Sequence, residues 1–114
     1  MKVLLIEPNI RSYALLPTIS LTVLKGYLTT KTKHQVKILD LIFHKKGWRD
    51  YLLKEIRKEQ PDLIGFSVLS FNFQEALMIA RFIKNHVPVK IIFGGIHVIL
   101  SPQNVIRHQE VDIV

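Results

Sequence analysis

No cysteine occurs in the 114 residues, which excludes a disulfide framework and any thiolate-held metal or iron-sulfur cluster on this chain. Long apolar runs are missing too. The longest, Val3 to Ile6 and Leu63 to Leu69, fall far short of the roughly 18 residues of a membrane-spanning helix, and the amino terminus lacks a signal-peptide pattern. No membrane span and a cytoplasmic location are therefore expected. Glycine and proline are scarce at five each, against 48% hydrophobic residues and a mean hydropathy of +0.23, so the chain is core-rich rather than disordered. Acidic charge is in deficit, giving a formal net charge of +7. The basic residues are nevertheless spread over Lys25 to Lys37, Lys45 to Lys58 and Arg81 to Lys90, as on solvated helix faces. No aromatic-basic interleaving accompanies them, and no nucleic-acid partner is expected.

What is present organises around Pro61 to Asn72. Leu63, Ile64, Phe66 and Val68 show no apolar/polar alternation, which predicts a central strand buried on both faces, followed by small polar residues where a ligand crevice would lie. Val3 to Ile6 predicts a first, equally central strand that stops at Glu7-Pro8-Asn9. Ile10 to Pro17 reads as a loop. Thr18 or Ser20 caps a helix with Leu21, Leu24, Tyr27 and Leu28 on one face, ending near Lys31 to Lys33. Gln35 to Asp40 alternates in part and predicts an edge strand. Trp48, Leu52 and Ile56 mark a second helix, and residues 72–86 a third, with Asn72 placed to cap it. Trp48 and the phenylalanines at helical spacing are expected in the core. Val89 to Phe93 predicts a fourth strand running into Gly94-Gly95. Ser101-Pro102 opens a short helix through about Arg107, and Val111 to Val114 predicts a fifth strand.

Strict strand-helix alternation over a single domain, residues 1–114, implies a doubly wound α/β fold. It is flavodoxin-like: a five-stranded parallel sheet of order 2-1-3-4-5, helices on both faces, and its switch point between strands one and three.

The loop Glu7-Pro8-Asn9-Ile10-Arg11-Ser12 has no glycine, which argues against a dinucleotide site or a P-loop. A phospho-receiver would need a carboxylate where Ser67 stands. No nucleophile-base pair, paired carboxylates or metal cluster is recognisable, so no catalytic and no metal-ligating residue is assigned.

Ser67-Val68-Leu69 after strand three and Gly94-Gly95 after strand four, on this fold, resemble the cobalamin-binding domains. Phrases along nearly the whole chain resemble the subgroup that precedes radical S-adenosylmethionine domains. They are Lys2 to Asn9, Val36 to Asp40, Pro61 to Ser67 and Phe93-Gly94-Gly95-Ile96-His97. The resemblance implies a cofactor site of Glu7, Pro8, Asn9, Ser67, Val68, Leu69, Ser70, Gly94, Gly95 and His97. In it the serine hydroxyl and the paired glycines line a slot for the nucleotide tail of the corrinoid. The histidine that one version of the family supplies to cobalt from the first loop is missing, since Glu7, Asn9 and Ser12 stand there. Cobalamin is therefore expected base-off, with no protein histidine on the metal.

The implied parent protein resembles methyltransferases and the anaerobic magnesium-protoporphyrin cyclase. It would carry a carboxyl-terminal radical S-adenosylmethionine domain, a 4Fe-4S cluster and S-adenosylmethionine, with this chain its amino-terminal module. The other reading is a degenerate domain that serves only for structure or docking.

Beside these roles each residue has a plain structural one. Ser67 can satisfy a strand-end backbone group, Gly94-Gly95 can form a turn needing positive φ, and His97 can be a packing histidine. A bulky residue at Ser67 or Gly95 is expected to block the slot and leave the fold largely intact. His34, His44, His86 and His108 have no ligand spacing and are expected at the surface.

Overall fold

The computed structural model of the chain describes residues 1–11 and 19–114. Strands β1 (Lys2–Glu7), β2 (Gln35–Asp40), β3 (Leu63–Ser67) and β4 (Lys90–Gly94) form one parallel sheet in the order β2-β1-β3-β4. Helices α1 (Ile19–Lys31), α2 (Trp48–Glu59) and α3 (Phe73–Lys84) make the crossovers, and two short helices, α4 (Ile96–Leu100) and α5 (Pro102–Ile106), follow β4. Single 3-10 turns at Leu41–His44 and Ser70–Asn72 link β2 to α2 and β3 to α3. The first four positions of the expected strand order are therefore as read. The proposed cap Thr18 and residues 12–17 of the expected loop lie outside the described residues. No helix among the described residues is long and apolar enough to cross a membrane.

The fifth strand is a correction. Residues 111–114 make an isolated parallel bridge, Ile92 to Ile113, rather than a ladder. The reason lies in Asp112, whose carboxylate accepts the Ile91 N–H at 2.7 Å, a donor that a fifth strand would pair through backbone. Lys84 Nζ holds the same carboxylate oxygen and also donates to the Val89 carbonyl at 2.9 Å. A side-chain clamp thus replaces part of the strand edge.

The two faces of the sheet are unequal. Leu4, Ile6, Ile64, Phe66, Ile91 and Phe93 face α2 and α3 and pack with Leu52, Ile56, Ile79 and Ile83 into the main core. Each such apolar side chain is worth about 1.5–3 kcal/mol of burial. The opposite face carries a smaller cluster, Val3, Leu5 and Val36 under Leu21 of α1. Only part of the expected α1 stripe is used: Leu21 is buried and Leu28 packs beside it, whereas Leu24 and Tyr27 are 43% and 63% exposed. The helix covers β2 and β1, so those two side chains overhang the sheet. Nor is β3 apolar on both sides. Its α1 face shows half-buried Leu63, Gly65 and half-buried Ser67.

Trp48, Phe66 and Phe93 are buried and Phe73 and Phe82 line the core, whereas Phe43 and Phe71, each in a 3-10 turn beyond a strand end, are exposed. Helix α4 was not read from the sequence. It begins directly after Gly95, whose φ of +101° turns the chain sharply. Asn72 does precede α3, but its side chain makes no cap bond there; its Oδ1 instead accepts the Leu69 N–H at 2.8 Å and fixes the loop after β3.

Candidate functional site

Parallel register lines up the carboxyl ends of all four strands. Glu7 pairs with Asp40 across β1 and β2, and Ser67 pairs with Gly94 across β3 and β4. One step past the Ile6–Phe66 pair, Glu7 comes beside Ser67. Period-two alternation places this row, Asp40, Glu7, Ser67 and Gly94, on the same face as Leu5, which is the α1 face. Two contacts agree with that placement. Ser67 Oγ lies 3.4 Å from Ser20 Oγ in the first turn of α1, and a Cβ built on Gly65 would come 2.9 Å from Leu5 Cδ2.

The face therefore shrinks toward the carboxyl edge. Val3, Leu63 and Lys90 form its first row, Leu5, Gly65 and Ile92 the second, and Glu7, Ser67 and Gly94 the last. The side chains at the carboxyl end of this face, beside the start of α1, are therefore small or polar. Among the described residues, a Cβ on Gly94 would meet only the Phe66 carbonyl oxygen, at 3.9 Å.

Gly95 is glycine for a different reason. A Cβ on it would stand 2.6 Å from the Val68 carbonyl oxygen and 2.7 Å from the Val68 nitrogen, and its φ already favours glycine. The backbone alone requires it, which corrects the expectation that a bulky residue at Gly95 would spare the fold. Val68 is also committed: its side chain is fully buried in the main core, its N–H donates to the Gly94 carbonyl at 2.8 Å, and its carbonyl accepts the His97 N–H at 3.2 Å. What Val68 contributes is the placement of its neighbours.

Glu7, Pro8 and Asn9 are all buried at the end of β1, where the Asn9 N–H donates to the Glu7 carbonyl at 2.9 Å and tightens the chain. Burial, with a smaller contribution from the neighbouring Asp40 charge, lifts the Glu7 carboxyl well above its ordinary range, to about 7. Asp40 itself turns its Oδ1 to the Ile42 N–H at 3.0 Å. Beyond β3, Ser70 and His97 come together, Ser70 Oγ to His97 Nδ1 at 3.0 Å, with the imidazole 4.3 Å from the Phe73 ring centroid. Leu69 is half-buried on the same rim.

His97 is thus a packed, hydrogen-bonded residue at the site's edge. Of the other histidines, His34 meets the amino terminus, His44 stacks on Tyr51, His86 lies against Phe82 and His108 against Phe73. Among the described residues no three His, Asp or Glu side chains gather as a metal site. Sequence reasoning singled out Glu7, Ser67 and Gly94 without seeing that they form one row, and it passed over Asp40 as a neighbour of Glu7 and Ser20 as a neighbour of Ser67.

The concave patches lined by Lys2, Gln35, Gln60, Pro61 and Asp62 lie at the opposite, amino-terminal edge. Lys37 there is paired with Glu55 and Glu59, each at 2.8 Å, a surface network remote from the slot.

Comparison with known proteins places the chain in a family. The family model described as B12 binding domain matches residues 9–114. An uncharacterized methyltransferase of Pyrococcus horikoshii is 30% identical over 78 residues, covering 68% of this chain and 17% of that protein. The radical S-adenosylmethionine methyltransferase TsrM from Kitasatospora setae, solved with cobalamin and a 4Fe-4S cluster bound, superposes with a TM-score of 0.84 at 23% identity over 93% of this chain and 22% of that one. The cobalamin-dependent S-adenosylmethionine radical enzyme OxsB, solved with aqua-cobalamin bound, gives a TM-score of 0.68 at 22% identity over 93% of this chain and 15% of that one. The chain spans less than a quarter of the length of each of these proteins. At such identities the solved structures share its fold. By the match to its family model over all but the first eight residues, the chain belongs to the B12 binding domain family.

Proposed function

We propose that the chain is a cobalamin-binding module that holds a base-off corrinoid, with the nucleotide tail in the slot beside Ser67 and Gly94. The observation that carries the reading is the space at Gly94, a position where the protein itself does not require glycine, next to a half-buried serine hydroxyl at the carboxyl edge of a parallel sheet. A flat base fits between sheet and α1, and Ser67 can donate to its ring nitrogen. Glu7, Pro8 and Asn9 would border the corrin from β1, and Leu69, Ser70 and His97 from the rim beyond β3 and β4. Family membership and the fold shared with cobalamin-containing radical S-adenosylmethionine proteins support the same reading.

A bound corrinoid supplies a cobalt centre that can carry a methyl group. Residues 1–114 act on this reading as one domain of a longer protein. They present the cofactor to a carboxyl-terminal radical S-adenosylmethionine domain that brings the cluster, the S-adenosylmethionine and the catalytic groups, in methyl transfer or oxidative cyclisation.

The test is retention of methylcobalamin through gel filtration, read by the corrinoid absorption spectrum. Co-elution is expected, with loss in Gly94→Leu, a variant that fills the slot without touching the core. A folded protein that retains no corrinoid would instead establish the degenerate, structural reading.

A further inference from the structure

At the amino-terminal edge of the sheet, two chain connections leave an apolar cleft between them. Helix α2 stops at Gln60, whose left-handed φ of 47° and N–H bond to the Ile56 carbonyl at 2.8 Å turn the chain into Pro61. Beside it α3 gives way to a turn in which the Val87 N–H meets the Ile83 carbonyl at 2.8 Å, and Pro88 follows. Pairing of Leu63 with Lys90 holds the two connections side by side. The cleft measures about 330 Å³ and is lined by Ile56, Pro61, Val87, Pro88 and Val89 and by exposed Arg57. Ile56 and Val89 belong to the main core and two prolines stiffen the walls, so the cleft is preformed.

The charge beside it is of one sign. Lys46, Arg49, Lys54, Arg57 and Lys58 are exposed on α2 or just before it, against one exposed acid, Asp50. The other two acids of the helix, Glu55 and Glu59, are held by Lys37 of β2, and Asp62 beyond the helix accepts the Lys2 N–H at 2.7 Å. Lys46, Lys54 and Arg57 form no ion pair among the described residues. Lys54 faces Arg57 and Lys58 at spacings of three and four, where like charges repel and disfavour the helix. A basic helix face alone would be a solvated surface. With an apolar cleft at its end it has the build of a binding surface, an apolar centre beside a charged rim.

We propose that this surface docks an acidic segment of a partner protein, which seats one aliphatic side chain in the cleft and lays carboxylates against Lys54, Arg57 and Lys58. Charge complementarity selects the partner and steers its approach. The cleft has no aromatic wall, and an aliphatic group is what it accepts. Single-stranded nucleic acid would need aromatic platforms for its bases, but Trp48 is buried and Tyr51 is stacked on His44. Ser67 and Gly94 stand at the other end of their strands, so a partner held here leaves the proposed cofactor site open and needs no corrinoid.

The experiment titrates the isotope-labelled full chain with a blocked peptide of four glutamates around a central leucine and follows the amide nuclear magnetic resonance shifts. Saturable shifts are expected at Ile56, Arg57, Gln60, Val87 and Val89. The dissociation constant should rise several-fold between about 50 mM and about 200 mM salt, as the charges are screened. A matched peptide with serine in place of leucine should bind about fivefold more weakly or worse, because nothing apolar fills the cleft. Lys54→Glu combined with Arg57→Glu should cost about tenfold in affinity, with its fold read from the same spectra.

Absence of saturable shifts, equal affinity for the leucine and serine peptides, or shifts centred away from the cleft would each overturn the docking surface. Tighter binding of oligothymidylate at the same amides would overturn it too and make this a nucleic-acid face. The comparison of the two peptides uses the parent chain alone, so it decides the matter whether or not the charge-reversed variant folds.

Discussion

Gly94 and Gly95 are adjacent in sequence and glycine for opposite reasons, so alanine at each should have opposite consequences. At Gly95 the backbone has φ +101° and ψ 179°, a region in which a side chain costs about 1–3 kcal/mol. The new Cβ would also sit 2.6 and 2.7 Å from the Val68 oxygen and nitrogen, inside contact distance. Val68 cannot yield freely, since its N–H is bonded to the Gly94 carbonyl at 2.8 Å and its carbonyl to the His97 N–H at 3.2 Å. Relieving the clash means surrendering one of these, at about 1 kcal/mol. The sum is about 2–4 kcal/mol, a large part of the ~5–15 kcal/mol typical of a domain. For a chain of this size it lowers the melting temperature by roughly 8–16 °C. At Gly94 a Cβ has no neighbour among the described residues nearer than 3.9 Å, and the smaller freedom of the unfolded chain should leave stability equal or raise it by up to about 1 kcal/mol. Urea unfolding followed by circular dichroism measures both. A Gly95→Ala protein within 1 kcal/mol of its Gly94→Ala counterpart would refute this division of the two glycines.

The Asp112 clamp should be pH-dependent. Burial opposes its ionisation, but the Lys84 and Ile91 hydrogen bonds and the Lys84 and Lys90 charges outweigh that and hold its carboxyl below the ordinary range. The stability it contributes is therefore full above the unfolded aspartate value of about 4 and fades as pH falls through the lower folded value. Asp112→Asn should lose part of this acid dependence in urea titrations, and an unchanged profile would place the dependence elsewhere. Ile64→Asp puts an unpaired charge among fully buried core residues, at a cost of several kcal/mol, and an insoluble product is expected in expression trials; a soluble, cooperatively melting variant would contradict the central place of β3. Bound cobalt(II) cobalamin should give electron paramagnetic resonance lines without a nitrogen triplet, since no histidine lies in the described part of the loop after β1 and segment 12–18 contains none. A clear triplet would implicate His97, the histidine held at this edge by Ser70.

The parallel sheet was legible because its signal is local. Val3 to Ile6 and Leu63 to Phe66 are apolar runs of strand length, and the helices between them repeat every three to four residues. The residues of the edge row were legible for the same reason, as strand ends with unusual composition. Their alignment was not, because register is fixed by pairing between segments 27 to 60 residues apart and leaves no mark in either one. The fifth strand failed where a local rule met a tertiary competitor: Val111 to Val114 has strand composition, but the Asp112 side chain takes a ladder donor. The stripe on α1 failed in the same way, since periodicity shows which side chains share a face and not how far the sheet beneath extends.

The unequal faces bear on where the proposed site lies. A strand between two others normally fills both sides with apolar side chains, each contributing about 1.5–3 kcal/mol when buried. On β3 the main-core side follows that rule with Ile64 and Phe66 fully or almost fully buried, while the other side goes from Leu63 to Gly65 to Ser67. Gly65 has a reason within the chain, since Leu5 and Ile92 close over it. Among the described residues Ser67 and Gly94 have none of that kind: beside their register partners and Ser20 both are half-buried. Packing for stability alone would place larger apolar side chains at this edge. The small residues are concentrated at the edge where a parallel sheet binds its ligands, and that placement is the physical ground on which the cofactor site is proposed there.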